Sequence, residues 1–88
     1  MSDLNINSTV FCYVIIVDEI EFSEKIGQKI KELRLQKKLS QFDLSIECGI
    51  PKNQIGRIER NTISPTLKTI IKICNGLNIH PKELFDLQ

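Results

Sequence analysis

Lys52, Asn53, Gln54 and Arg57 stand close together, directly after Gly49-Ile50-Pro51. On a helix they would form a polar, hydrogen-bonding face held behind a sharp turn. Such a face suits recognition rather than bond breaking. The rest of the chain agrees with that. It has no Ser/His/Asp or Cys/His arrangement and no glycine-rich phosphate loop, so no enzyme is expected. The single histidine, His80, sits beside Pro81. Cys12, Cys48 and Cys74 are far apart, odd in number and without metal-ligand spacing, so neither a metal nor a cofactor is expected. They read as reduced, mostly buried thiols of a cytoplasmic protein.

The net charge of +1 conceals an uneven distribution. All twelve Lys and Arg lie between Lys25 and Lys82, opposed there by Glu32, Asp43, Glu47 and Glu59, so twelve less four leaves +8. Residues 1–24 carry −5 and the last six carry −2. A basic body behind an acidic arm suits a polyanionic partner, although a solvated basic surface accounts for the charge equally well. At 88 residues, 41% of them hydrophobic, the chain has material for one small core that is marginally stable alone. No run of about 18 apolar residues is present, so no membrane span is expected. The N-terminus lacks the basic region of a signal peptide.

Several elements must position the polar face. "VFCYVIIV", Val10–Val17, is β-branched and aromatic without helical periodicity, and reads as a strand that is apolar on both faces. One strand cannot satisfy its own backbone, so the expected partner is the same strand of a second chain across a dimer axis. An added helix or a mobile arm are the alternatives. Residues 1–22 are accordingly taken as an N-terminal arm and 23–88 as the helical body. Asp18 to Phe22 is either a short connection or the first turn of the next helix, because "DEIE" resembles a capping box.

The first helix is expected from about Ser23 to Lys37, with Ile26, Ile30 and Leu33 on one stripe. Ser40 caps a second helix, Gln41–Cys48, which buries Leu44 and Cys48 with Phe42 partly covered. Gly49 suits a left-handed residue just past that helix, and Pro51 suits the start of the next, to about Arg60. Asn61 and Asn78 follow the third and fourth helices where a left-handed residue is needed. The fourth helix is expected from Pro65 to Leu77, on a stripe of Leu67, Ile70, Ile71, Cys74 and Leu77. His80-Pro81 opens a short last helix whose Leu84 and Phe85 close the core.

Two short helices around a tight turn fit helix-turn-helix geometry, in which the second helix stands proud enough to enter a major groove. The spacing is specific. Counted from Gln41, a small residue falls at the fifth place (Ser45) and a glycine at the ninth (Gly49). Apolar residues fall at the fourth, eighth, tenth, fifteenth and eighteenth: Leu44, Cys48, Ile50, Ile55 and Ile58. From about Ile26 to Phe85 the chain resembles the Cro and phage-repressor type helix-turn-helix family, also called the xenobiotic-response-element family. The likeness is carried by "IGQKIKELR", "LSQFDLSIECGI", "IGRIERN", "SPTLKTIIKI" and "LF". It implies an all-α, compact five-helix, lambda-repressor-like domain that binds operator DNA as a two-fold dimer. The arm lies outside the likeness.

The resemblance also implies roles. Lys52 and Asn53 stand where the family places its first base-contacting residues, with Arg57 one turn later on the same face. Arg suits a bidentate contact to guanine and Asn one to adenine. Gln41 resembles the residue that anchors a phosphate at the start of the second helix. Gln54 and Asn61 resemble backbone-contacting positions, and Arg60 and Lys38 are placed to add phosphate contacts. On an unremarkable short helix the same side chains would merely be solvated. Arg34 and Glu59 fall where the family often forms an internal ion pair. The chain departs from the family at Pro51, which replaces a Ser or Thr cap, and at Gly56. Gly56 either permits close backbone approach or weakens the helix by about 1 kcal/mol.

The expected function is a DNA-binding transcriptional regulator acting on double-stranded DNA as a homodimer, either a prophage-type repressor or a restriction–modification controller. The alternative is an antitoxin that docks a toxin on the apolar arm and autoregulates its operon.

Overall fold

Asp18 starts the first helix. Its carboxylate accepts hydrogen bonds from the Ile20 and Glu21 amides at 2.9 and 3.2 Å. The computed structural model describes residues 18–87. Five helices follow in order: α1 (Glu19–Gln36), α2 (Gln41–Cys48), α3 (Lys52–Glu59), α4 (Leu67–Leu77) and α5 (Pro81–Leu84). Among the described residues there is no strand, and no helix is long and apolar enough to cross a membrane. The strand expected at Val10–Val17, with the dimer pairing assigned to it, lies outside the described residues.

The boundary drawn after Phe22 falls inside a helix. Glu19 to Phe22 form the first turn of α1, four residues ahead of the expected start at Ser23. The Asp18 cap is the physical reason, since it satisfies amides that a start at Ser23 would not have needed to pair. Pro51 and Pro65 also stand outside the helices they were expected to open. Pro51 flanks α3, and Thr66 caps α4 through its hydroxyl, which accepts from the Thr69 amide at 3.1 Å.

Ser40 and Asp43 form a reciprocal cap on α2. The Ser40 hydroxyl accepts from the Asp43 amide, and the Ser40 amide donates to the Asp43 carboxylate, both at 2.9 Å. The Ser40 backbone bond, and then the Ser40 side-chain bond, hold the Asp43 carboxyl below its ordinary value of 3.8. A depressed carboxyl stabilises the fold fully above its unfolded value and loses that contribution as pH falls through the folded one. Asp43→Ala should therefore unfold more easily than the parent at neutral pH. The gap should close on acidification below 3.8. Urea titrations at several pH values check this, and a pH-independent gap would contradict it.

The helices end as the turn residues predict. Gly49, Asn61 and Asn78 adopt φ of 70°, 59° and 58°. Lys38 is a fourth left-handed residue, at φ 60°, with nothing in its side chain to announce it. The Leu39 amide bonds the Arg34 carbonyl at 3.0 Å and closes α1 around Lys38. His80 caps α5, its Nδ1 accepting from the Lys82 amide at 3.0 Å.

The core is built from one face of each helix. Ile26 and Ile30 come from α1, Leu44 and Cys48 from α2, and Ile55 and Ile58 from α3. Ile70, Ile73, Cys74 and Leu77 come from α4, and Ile50 and Leu84 complete it. Burial pushes the Cys48 and Cys74 thiols above their ordinary range. The stripe expected on α4 is shifted. Leu67 and Ile71 are exposed, and Ile73 is fully buried in their place. Phe42 is also exposed rather than partly covered. Two contacts are too tight for a side chain. A Cβ at Gly27 would lie 2.5 Å from the Ile58 carbonyl oxygen, and one at Gly76 would lie 2.7 Å from the Cys48 Cβ. These glycines let α1 close on α3 and α4 close on α2.

Candidate nucleic-acid interface

The turn between α2 and α3 is short because Gly49 reverses the chain and Ile50 drops into the core. The Gly49 and Ile50 amides both reach the Ser45 carbonyl, at 2.9 and 3.2 Å. Ser45 is buried as the pattern required, and its hydroxyl donates to the Phe42 carbonyl at 2.6 Å. Pro51 contributes no side-chain bond to the start of α3. That helix is sharply two-sided. Ile55, Gly56, Ile58 and Glu59 are buried, whereas Lys52, Asn53 and Arg57 are exposed and Gln54 is half-buried.

Asn53 and Arg57 are four residues apart and so share one line along the helix, with Lys52 beside it. None of Lys38, Lys52, Arg57 and Arg60 forms a salt bridge with a described residue. Their charge is therefore available to an outside anion. The C-terminal end of α3 is locked by Thr62, whose amide and hydroxyl both donate to the Arg57 carbonyl, at 2.9 and 3.1 Å. Asn61, half-buried, turns the chain away there.

Behind this face lies a buried polar network. Arg34 of α1 donates from Nε to Glu59 Oε2 at 2.7 Å and from Nη2 to Oε1 at 3.1 Å. Its Nη1 donates to the Leu39 carbonyl at 2.8 Å. The internal ion pair expected between the first and third helices is present, with the two side chains 7% and 2% exposed. No sequence pattern announces its third member. Gln41 donates from Nε2 to Glu59 Oε1 at 3.1 Å. One carboxylate thus fixes α1, the start of α2 and the inward side of α3 against one another, which sets the pose of the exposed face.

The sequence-predicted residues fall into three groups. Lys52, Asn53 and Arg57 come together on the outer face of α3, with Gln54 at its edge. Gln41 and Arg60 meet at Gly56, where a Cβ would lie 3.4 Å from Gln41 Oε1 and 2.9 Å from Arg60 Nη1. Gly56 is therefore covered by these two side-chain ends and does not lie open to solvent. Asn61 and Lys38 occupy the two left-handed turns after α3 and α1. Among the described residues no group of three or more His, Cys, Asp or Glu could hold a metal.

A family model described as helix-turn-helix matches residues 30–84. Over 61 residues the chain is 41% identical to the control protein C.BamHI of Bacillus amyloliquefaciens, covering 68% of this chain and 75% of that protein. Over 54 residues it is 44% identical to the HTH-type transcriptional regulator SutR of Escherichia coli K12, covering 61% of this chain and only 30% of that one. Among solved structures, the restriction-modification controller protein C.AhdI from Aeromonas hydrophila is similar at a TM-score of 0.69 and 39% identity. That likeness covers 70% of this chain and 94% of the other.

Proposed function

This chain belongs to the helix-turn-helix family and is a DNA-binding transcriptional regulator, and from that premise we propose that it reads an inverted-repeat operator as a homodimer with α3 in the major groove. The observation that carries the reading is the two-sidedness of α3. Its inward residues are locked into the core and the Glu59 network, while Lys52, Asn53 and Arg57 are exposed without an ionic partner among the described residues. Gln41, Gln54, Arg60, Asn61 and Lys38 hold phosphates and fix the register; Lys52, Asn53 and Arg57 read base edges.

A second copy widens the margin between specific and random DNA. Specific sites are typically bound about 4–10 kcal/mol more tightly than random DNA, and a good bidentate base contact supplies about 1–3 kcal/mol. Three good contacts on one α3 would supply about 3–9 kcal/mol, and a two-fold pair doubles that supply. The described residues offer a surface for the pairing. Phe22 and Phe85 stack at 6.2 Å between ring centres, 11° from parallel. With Pro65 and Leu67 they line an open apolar groove. A second copy of this chain is its proposed occupant.

The likeness to C.BamHI and C.AhdI runs over most of each of those chains, which favours control of a restriction–modification operon over a prophage repressor. The antitoxin alternative drew on Val10–Val17, outside the described residues, and no described residue favours it.

Asn53→Ala and Arg57→Ala are each expected to cost about 1–3 kcal/mol on the preferred duplex and little on scrambled DNA. Binding titrations on both duplexes decide. Equal losses on the two would reduce these side chains to phosphate contacts.

A further inference from the structure

Gly56 is buried in the middle of α3, where glycine weakens a helix. Packing does not require it. The three atoms nearest a Cβ there all belong to side-chain ends: Arg60 Nη1 at 2.9 Å, and Gln41 Oε1 and Nε2 at 3.4 and 3.6 Å. Gly27 and Gly76 differ. Their absent side chains would strike the Ile58 carbonyl and the base of Cys48, which cannot swing aside. At Gly56 the space is used by the guanidinium of Arg60, folded back one turn along α3. It lies over the same bare Cα as the amide of Gln41.

Gln41 is itself held. It gives an N–H to Glu59, which is fixed by Arg34. Arg60 has no salt-bridge partner among the described residues, so its charge is not spent within the fold. An arginine already lying beside a fixed amide has less rotamer freedom to lose on binding an anion than one extended into solvent.

We propose that Gly56 is a positioning residue: its missing side chain lets Arg60 fold back beside Gln41, so that guanidinium and amide grip one DNA backbone phosphate together. This rests on the DNA-binding reading above and deepens it. A methyl group at position 56 pushes Arg60 away, and the grip is lost while the helix gains an ordinary residue.

The test compares the full chain with Gly56→Ala, Arg60→Ala and the double variant. Each is titrated with a selected duplex and a scrambled duplex over a range of salt, alongside thermal unfolding. Gly56→Ala should weaken both duplexes by a similar factor, about tenfold, and lower the salt slope by about 0.9, as one lost phosphate contact does. Its thermal midpoint should be unchanged or higher. The double variant should bind like Arg60→Ala, because both changes remove one contact. Several results would overturn the proposal: unaltered binding by Gly56→Ala, a lowered midpoint, or additive losses in the double variant. If the parent chain itself binds neither duplex in a salt-dependent way, the DNA-binding reading fails first and the proposal falls with it.

Discussion

Replacing Glu59 with Ala should lower stability by about 3–5 kcal/mol, the cost of leaving a buried charge without its partner. The Arg34 guanidinium would keep only the Leu39 carbonyl, at 2.8 Å, and would lose both bonds to the carboxylate. Its side chain is 7% exposed, so water cannot replace what was removed. Gln41 would lose its tether as well. Native domains have about 5–15 kcal/mol in total, so the loss is a large fraction of it and the variant should unfold at much lower denaturant. Replacing both partners with apolar residues, Arg34→Met with Glu59→Leu, should recover most of the loss, since no orphaned charge remains. Urea unfolding of the single and double variants measures both effects. A loss below about 1 kcal/mol for Glu59→Ala would mean that the pair behaves as an exposed one.

The second large effect is expected at Gly27. Alanine normally improves a helix interior by about 1 kcal/mol over glycine. Here the new Cβ would sit 2.5 Å from the Ile58 carbonyl oxygen and 3.1 Å from that of Glu59. Both are backbone atoms of α3, so the helices themselves must separate. Overpacking should cost about 3 kcal/mol, the upper end of its range, for a net loss of about 2 kcal/mol in Gly27→Ala. Separation would also disturb the Arg34–Glu59 geometry, because that pair bridges the same two helices. Thermal unfolding checks this, and a raised midpoint would contradict the close approach of α1 to α3. The contrast with Gly56→Ala is instructive. There the same substitution meets only movable side-chain ends, and stability should not fall.

Much of this was legible in the sequence because the relevant signals are local. Ser40 with Asp43, Gly49, Asn61, Asn78 and His80 each mark a helix boundary through chemistry within a few residues of themselves. The spacing from Gln41 to Ile58 carries the α2–α3 geometry, since each buried position there is required by one tight turn. The Arg34–Glu59 pair was legible through the family resemblance alone; no short-range pattern links residues 25 positions apart.

What was not legible depends on three-dimensional neighbours. Helical spacing alone let Leu67 and Ile71 pass as core, but only α2 and α5 decide which side of α4 is covered, and they cover Ile73. Gly56 carried two readings, close backbone approach or a weakened helix, because its position was judged without Gln41 and Arg60 beside it. Lys38 was not seen as a left-handed residue, because lysine carries no preference for that conformation and the closure of α1 imposes it. The Gln41–Glu59 bond had no sequence signal at all. At the interface, the exposure of Lys52, Asn53 and Arg57 agrees with the pattern, whereas what each one touches is a question for binding experiments.

The most direct measurement is selection of random duplexes by the purified protein, followed by the stoichiometry of its complex with the winning sequence. We expect an inverted repeat whose half-sites lie about one helical turn apart, bound by two copies of the chain. Enrichment of no sequence, with equally salt-sensitive binding to every duplex, would contradict base reading by α3 and leave a basic surface that holds phosphate alone.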